Sequence, residues 1–298
     1  MTDFNEHTIT QAVLDRLADT PNARLREVLT SFVHHLHDFI RETEPSFAEW
    51  AAAIEFLTRT GQMCSDTRQE FILLSDTLGA SMLVDAINHR MPAGATETTV
   101  LGPFFVEQRP DLPNGADLSA GREGEKLLVQ GSVRAAGGGM LADAVIDVWH
   151  SDQDGYYDVQ RSDLDHASGR ARLRTDAAGK FWFWTVHPAF YPIPHDGPVG
   201  ELLRATGRHP YRPAHVHFMI SAPGYEELVT HVFVAGDPYL DSDAVFGVKQ
   251  SLIADYEHRP PGTAPDGTVM AAPWRHLNYD FGLKPLAAAV ELRTGEAA

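Results

Sequence analysis

Hydrophobic positions change their period partway along the chain, and the change separates two kinds of structure. In the first hundred residues, apolar side chains recur at three-to-four spacing through Val13, Leu14 and Leu17, then through Val28, Leu29, Phe32, Val33, Leu36, Phe39 and Ile40. This is the repeat of one face of an α-helix. Ser46-Phe47-Ala48-Glu49, directly after Pro45, has the form of a capping box, so a helix is expected from there through Trp50, Ile54 and Leu57, with Gly61 as a stop. Shorter helices are expected from about Asp66 to Leu78 and from about Ala80 to His89, before Met91-Pro92-Ala93-Gly94 breaks the pattern.

Beyond about residue 125 the period is two. Leu127–Val133, Ala144–Trp149, Phe181–Val186, His215–Ile220 and Leu228–Val234 are rich in β-branched and aromatic residues, and turn clusters such as Ala136-Gly137-Gly138-Gly139 and Asp176-Ala177-Ala178-Gly179 separate them. Short strands punctuated in this way predict a mainly β fold, an antiparallel β-sandwich. The expected organisation is an all-helical N-terminal domain over residues 1–98 and a β-sandwich domain over residues 99–298. A long connection from about Pro188 to Pro213 is rich in proline and glycine, and connections of that length are usually functional.

Charge and composition narrow the chemistry. Lys and Arg total 24 against 41 Asp and Glu, a formal net charge of -17, which repels nucleic-acid backbones and anionic membrane surfaces. Hydrophobic residues at 43% supply a sizeable core. The lone cysteine, Cys64, forms no internal disulfide and supplies no thiolate cluster; it is expected as a small apolar residue of a helix. The N-terminus lacks a basic-then-apolar leader pattern and no apolar run is long enough to span a bilayer, so a cytoplasmic, soluble protein is expected.

His215-Val216-His217 lies on an expected strand, where residues two apart project from one face, so both imidazoles can reach one metal ion. Alone, such a pair is as readily coincidence as a site. Two upstream tyrosines in loop settings add weight: Tyr157 after the Asp154-Gly155 turn, and Tyr191 in Phe190-Tyr191-Pro192. Phenols must ionise to bind metal, which a hard trivalent ion achieves at neutral pH far better than zinc or magnesium does. His34, His35 and His37 crowd an amphipathic helix without supporting carboxylate geometry and read as solvated or packing residues. Asp237, Asp241 and Asp243 are acidic loop residues without calcium-ligand spacing.

Four stretches bring the chain to a family it resembles: Thr99-Val100-Leu101-Gly102-Pro103-Phe104-Phe105, Asp147-Val148-Trp149-His150, Asp154-Gly155-Tyr156-Tyr157 and Arg212-Pro213-Ala214-His215-Val216-His217-Phe218. Together and in this order they resemble the intradiol ring-cleaving dioxygenases, over nearly the whole chain. Tyr191-Pro192-Ile193-Pro194 before Asp196-Gly197-Pro198-Val199-Gly200 resembles the hydroxyquinol-cleaving members more than the catechol-cleaving ones. The resemblance implies one non-haem Fe(III) per subunit, held by Tyr157, Tyr191, His215 and His217. Tyr191 would leave the metal and take a proton as a small aromatic diol binds, and Arg212 would stabilise negative charge on the way to reaction with O2. It further implies a ring pocket of Leu73, Asp76, Val100, Leu101, Gly102, Pro103, Ile193, Pro194 and Arg212, and a homodimer built through the N-terminal helices around an apolar channel that can retain a lipid. His231 stands where many catechol-cleaving relatives carry glutamine; a hydrogen-bonding group near the metal and a buried structural histidine are both open roles. Asp76 is likewise open between a ring-facing acceptor and a helix-surface carboxylate.

Overall fold

The computed structural model describes residues 3–119 and 121–286, and the chain divides into two compact units between Gln62 and Met63. The first unit holds α1 (Ile9–Leu17), α2 (Ala23–Thr43) and α3 (Phe47–Gln62). The Asn22 side chain accepts from Leu25 N at 2.9 Å and so caps α2, which ends at Glu44 in the left-handed region. The capping box at α3 forms in both directions: Ser46 N donates to Glu49 Oε2 at 2.8 Å, and Glu49 N donates to Ser46 Oγ at 3.3 Å. Thr10 on α1 ties to α2 through the Arg41 guanidinium and through His37 Nδ1, so His37 is occupied by packing. Helix α2 buries none of its residues, and Phe32, Phe39 and Trp50 are 59%, 57% and 57% exposed.

The second unit opens with α4 (Glu70–Thr77) and α5 (Ala80–Asn88). Helix α4 begins later than Asp66 because residues 65–68 close a turn, Ser65 N donating to Arg68 O at 2.8 Å. The expected domain division after residue 98 therefore falls beyond the break in compaction, with α4 and α5 belonging to the β-rich unit. Cys64 lies in the non-helical link after α3 and is half-buried, which corrects its expected helical setting. Residues 287–298 of the expected second domain, like Met1 and Thr2, lie outside the described residues.

The remaining elements in chain order are β1 (Lys126–Ala135), β2 (Val145–His150), β3 (Arg170–Arg174), β4 (Lys180–Val186), β5 (Tyr191–Pro192), α6 (Pro198–Ala205), β6 (Tyr211–Arg212), β7 (His215–Ser221) and β8 (Leu228–Val234), followed by the shorter β9 (Ile253–Ala254), β10 (Glu257–Arg259), β11 (Gly262–Thr263), β12 (Val269–Met270), β13 (Trp274–Asn278) and β14 (Phe281–Leu283). One five-stranded sheet runs β10-β13-β1-β14 with β4 also on β1; the other runs β3-β2-β7-β8-β9. Leu127, Val129, Phe181 and Phe183 from the first meet Ile146, Val148, Val216, Phe218 and Val232 from the second in one buried core.

Antiparallel pairing holds for β1–β4, β2–β3, β2–β7 and β7–β8, but β1 pairs in parallel with both β13 and β14, and β8 with β9. The sheets are thus mixed, which corrects the purely antiparallel expectation. β7 and β8 are consecutive strands joined by a short turn and must reverse direction, whereas β13 and β14 reach β1 after a long excursion and are free to run parallel to it. The Pro188–Pro213 connection is also more ordered than a loop: it carries α6 and a two-stranded ribbon in which Tyr191 lies opposite Arg212. Among the described residues no helix is long and apolar enough to cross a membrane.

Candidate metal centre

Strand alternation decides where the histidines point. Val216, Phe218 and Ile220 of β7 enter the core between the sheets, so His215 and His217 project from the opposite face. Sheet register then sets Trp149 of β2 and His231 of β8 on either side of His217. The Trp149 ring stacks on His217 at 4.6 Å and 13°, and His231 stacks on His215 at 4.6 Å and 26°. Trp149 belongs to the Asp147-Val148-Trp149-His150 stretch, but its packing role is visible only through this register.

His215 Nδ1 donates to the Pro213 carbonyl at 2.7 Å, which leaves Nε2 with a lone pair. That Nε2 lies 3.0 Å from His217 Nε2, which is itself 3.0 Å from Tyr157 Oη. Tyr157 stacks on Phe104 at 4.5 Å and meets Tyr191 edge-on at 5.1 Å. The Tyr191 hydroxyl is buried without a hydrogen-bond partner among the described residues. Burial first, and Tyr191 beside it, push the Tyr157 phenol well above its ordinary value, while burial pushes His215 and His217 well below theirs. Neutral imidazoles and two phenol oxygens crowd one place and present more acceptors than donors there. A cation satisfies such a set, and one of high charge is needed to ionise phenols this deeply buried.

Arg212 is buried beside this cluster. Its Nε and Nη2 reach the Asp243 carboxylate at 3.1 and 3.3 Å, and Asp243 also accepts from Gly247 N at 2.9 Å. Burial opposes the guanidinium charge, but Asp243 and the two tyrosines outweigh it and raise its pKa above the ordinary value. Gly247 leaves room for the pair, since a Cβ there would lie 2.9 Å from Arg212 Nη2. The calcium-spacing criterion had set Asp243 aside with Asp237 and Asp241; it is instead the buried counter-ion of Arg212.

Among the expected pocket residues, Leu73 and Ile193 share a buried apolar cluster with Val199, Leu203, Ala244 and Val245, and Val100 packs against it. Asp76 is 6% exposed, so the helix-surface alternative does not describe it. Its Oδ1 has no hydrogen-bond partner among the described residues, and burial raises its pKa against the pull of Ser81 and Arg212. Pro194 is half-buried, while Leu101 and Pro103 are exposed and are not gathered into that cluster. Gly102 has φ +79° and would place a Cβ 3.1 Å from His217 Cε1. Gly102→Ala should therefore destabilise the fold by about 1 kcal/mol and displace the His217 ring; denaturant unfolding and metal content per chain would register both, and unchanged values would show that the loop yields instead.

Comparisons with known proteins bear on what such a site does. A family model described as "Dioxygenase" matches residues 100–285, and one described as "Catechol dioxygenase N terminus" matches residues 22–96. A 6-chlorohydroxyquinol 1,2-dioxygenase of Cupriavidus pinatubonensis is 54% identical over 96% of this chain and 99% of its own. A hydroxyquinol 1,2-dioxygenase of a Rhizobium species is 49% identical over 85% of this chain and 86% of its own. Among solved structures, a hydroxyquinol 1,2-dioxygenase from Pseudomonas putida DLL-E4 superposes with a TM-score of 0.90 at 49% identity, covering 94% of this chain and 99% of that one.

Proposed function

The chain belongs to the intradiol ring-cleavage dioxygenase family, and we propose that it opens hydroxyquinol with O2 between two adjacent hydroxylated carbons, giving 3-hydroxy-cis,cis-muconate, which tautomerises to maleylacetate. The observation that carries the proposal is the convergence of His215 and His217 nitrogens, 3.0 Å apart, with the buried hydroxyls of Tyr157 and Tyr191. Members of this family depend on non-haem iron, and we assign one ferric ion per subunit to these four side chains. Ferric iron bound there supplies a hard Lewis-acidic centre at which phenols ionise at neutral pH and an ionised diol becomes reactive towards O2.

The chain's own residues divide the remaining work. Tyr191 Oη has no competing partner among the described residues, so as a phenolate it can accept a proton from one diol hydroxyl and withdraw. Tyr157, clasped by Phe104 and Tyr191, stays in place. Arg212, anchored by Asp243, faces negative charge developing on the ring oxygens without having to reorganise. Leu73, Val100 and Ile193 exclude water from one side of the ring. Asp76 offers its unpaired Oδ1 to the third hydroxyl of hydroxyquinol.

Oxygen uptake tests this reading. Leaving Asp76 unpaired over plain catechol costs about 1–3 kcal/mol, so kcat/KM for hydroxyquinol should exceed that for catechol by roughly tenfold to a hundredfold. Asp76→Leu should collapse the ratio, chiefly by slowing hydroxyquinol. A wild-type preference for catechol or a chlorocatechol would move the chain to that neighbouring activity and leave the ring-cleaving chemistry standing. The unburied apolar face of α2 supports residues 1–98 as the dimerisation part, with a lipid retained between subunits, in a cytoplasmic enzyme.

A further inference from the structure

His231 lies directly opposite His217 on the adjacent strand and is fully buried, its ring 4.1 Å from that of His217. Its neighbours determine its tautomer. A guanidinium has only N–H donors, and Arg212 Nη2 lies 3.3 Å from His231 Nδ1, so Nδ1 is the accepting nitrogen. Thr99 Oγ1 approaches the same atom at 3.4 Å. With Nδ1 accepting from Arg212, the ring proton is on Nε2, an atom that is buried and makes no hydrogen bond among the described residues.

Side-chain nitrogens of His215, His217 and His231 come within 4.8 Å of one another, as a three-imidazole metal site would require. The tautomer argues otherwise: the Nδ1 lone pair is engaged by Arg212, and Nε2 carries hydrogen. A buried N–H left without an acceptor is unfavourable, and a bound acceptor relieves it. We propose that His231 is a hydrogen-bond donor of the substrate site, its Nε2–H held by Arg212 for an anionic oxygen of a diol bound beside His215 and His217. Arg212 thus acts twice, as a charge and as the group that sets its neighbour's tautomer. The identity of the acceptor rests on the ring-cleavage reading above; the tautomer rests on the Arg212 contact alone.

Two measurements test the inference separately. Long-range proton–nitrogen correlation spectra of full-length, metal-free protein labelled at histidine should show the His231 proton on Nε2 and none on Nδ1; a proton on Nδ1 would overturn the Arg212 contact and the proposal with it. Anaerobic titration of the iron-loaded protein with 4-nitrocatechol, followed in the visible, should show binding about tenfold weaker in His231→Phe. His231→Gln, which keeps an N–H donor, should bind within a few-fold of wild type. Both variants should retain the iron content and resting spectrum of the wild type. Equal affinity in wild type and His231→Phe would sink the donor role, as would recovery absent in His231→Gln when thermal unfolding shows that variant folded. A wild-type protein with no tyrosinate band would instead defeat the iron reading, and the tautomer measurement alone would then decide whether Arg212 holds His231 as described.

Discussion

Tyr157→Phe is expected to leave a folded protein that holds iron poorly and turns over no diol at a useful rate. The substitution removes one oxygen and keeps the ring, so stacking on Phe104 at 4.5 Å and the edge contact with Tyr191 at 5.1 Å persist. The lost hydroxyl lies 3.0 Å from His217 Nε2, which still faces His215. Metal-free stability should therefore change by no more than about 1 kcal/mol. On the proposed assignment the metal would lose a ligand that burial makes reluctant to ionise, and with it charge that balances a trivalent ion. Groups that merely support metal ligands cost about 10–100-fold when removed, so removal of a ligand should lower kcat/KM by more than about a hundredfold. Iron per chain, the visible charge-transfer band and oxygen uptake on hydroxyquinol check the three consequences together. Full iron with unchanged colour and turnover would take Tyr157 out of the ligand set.

The second large effect concerns the pair that sequence spacing had not connected. In Asp243→Ala the Arg212 guanidinium stays buried without its carboxylate, and uncompensated buried charges of this kind cost about 3–5 kcal/mol. The midpoint of urea unfolding should fall with little change in slope. Replacing both partners, Arg212→Met with Asp243→Leu, removes the buried charges together. That double variant should recover most of the stability, since apolar substitutes for buried ion pairs are often neutral or better. It should not recover activity: losing a preorganised group that stabilises developing negative charge lowers kcat by about 10²–10³-fold. A stable double variant with wild-type turnover would reduce Arg212 to a structural role.

These two residues mark the boundary between what could be read along the chain and what could not. Helices and strands were legible because their periods, three-to-four and two, are written in neighbouring residues, and the capping box at Ser46 and Glu49 is as local as the bonds it makes. The His215-Val216-His217 spacing placed two imidazoles on one face for the same reason. Motif resemblance extended that reading to Tyr157, Tyr191 and Arg212, although it could not say what surrounds them.

Long-range pairing decided the rest. Asp243 reaches Arg212 across 31 positions of sequence, and nothing in an acidic loop residue announces a partner that distant. His231 meets His217 through the register of β7 on β8, where a slip of one residue would have turned it to the opposite face. Asp76 is buried because α4 packs into the β-rich unit, not because of any neighbour on its own helix. The parallel strands beside β1 depend on where a long return path docks. By itself the sequence determined the periodic elements and the residue types able to hold iron. Which carboxylate steadies the arginine, and which nitrogen of His231 carries the proton, were decided by the tertiary structure, because register and docking are set by the packing of the whole core and not by adjacent residues.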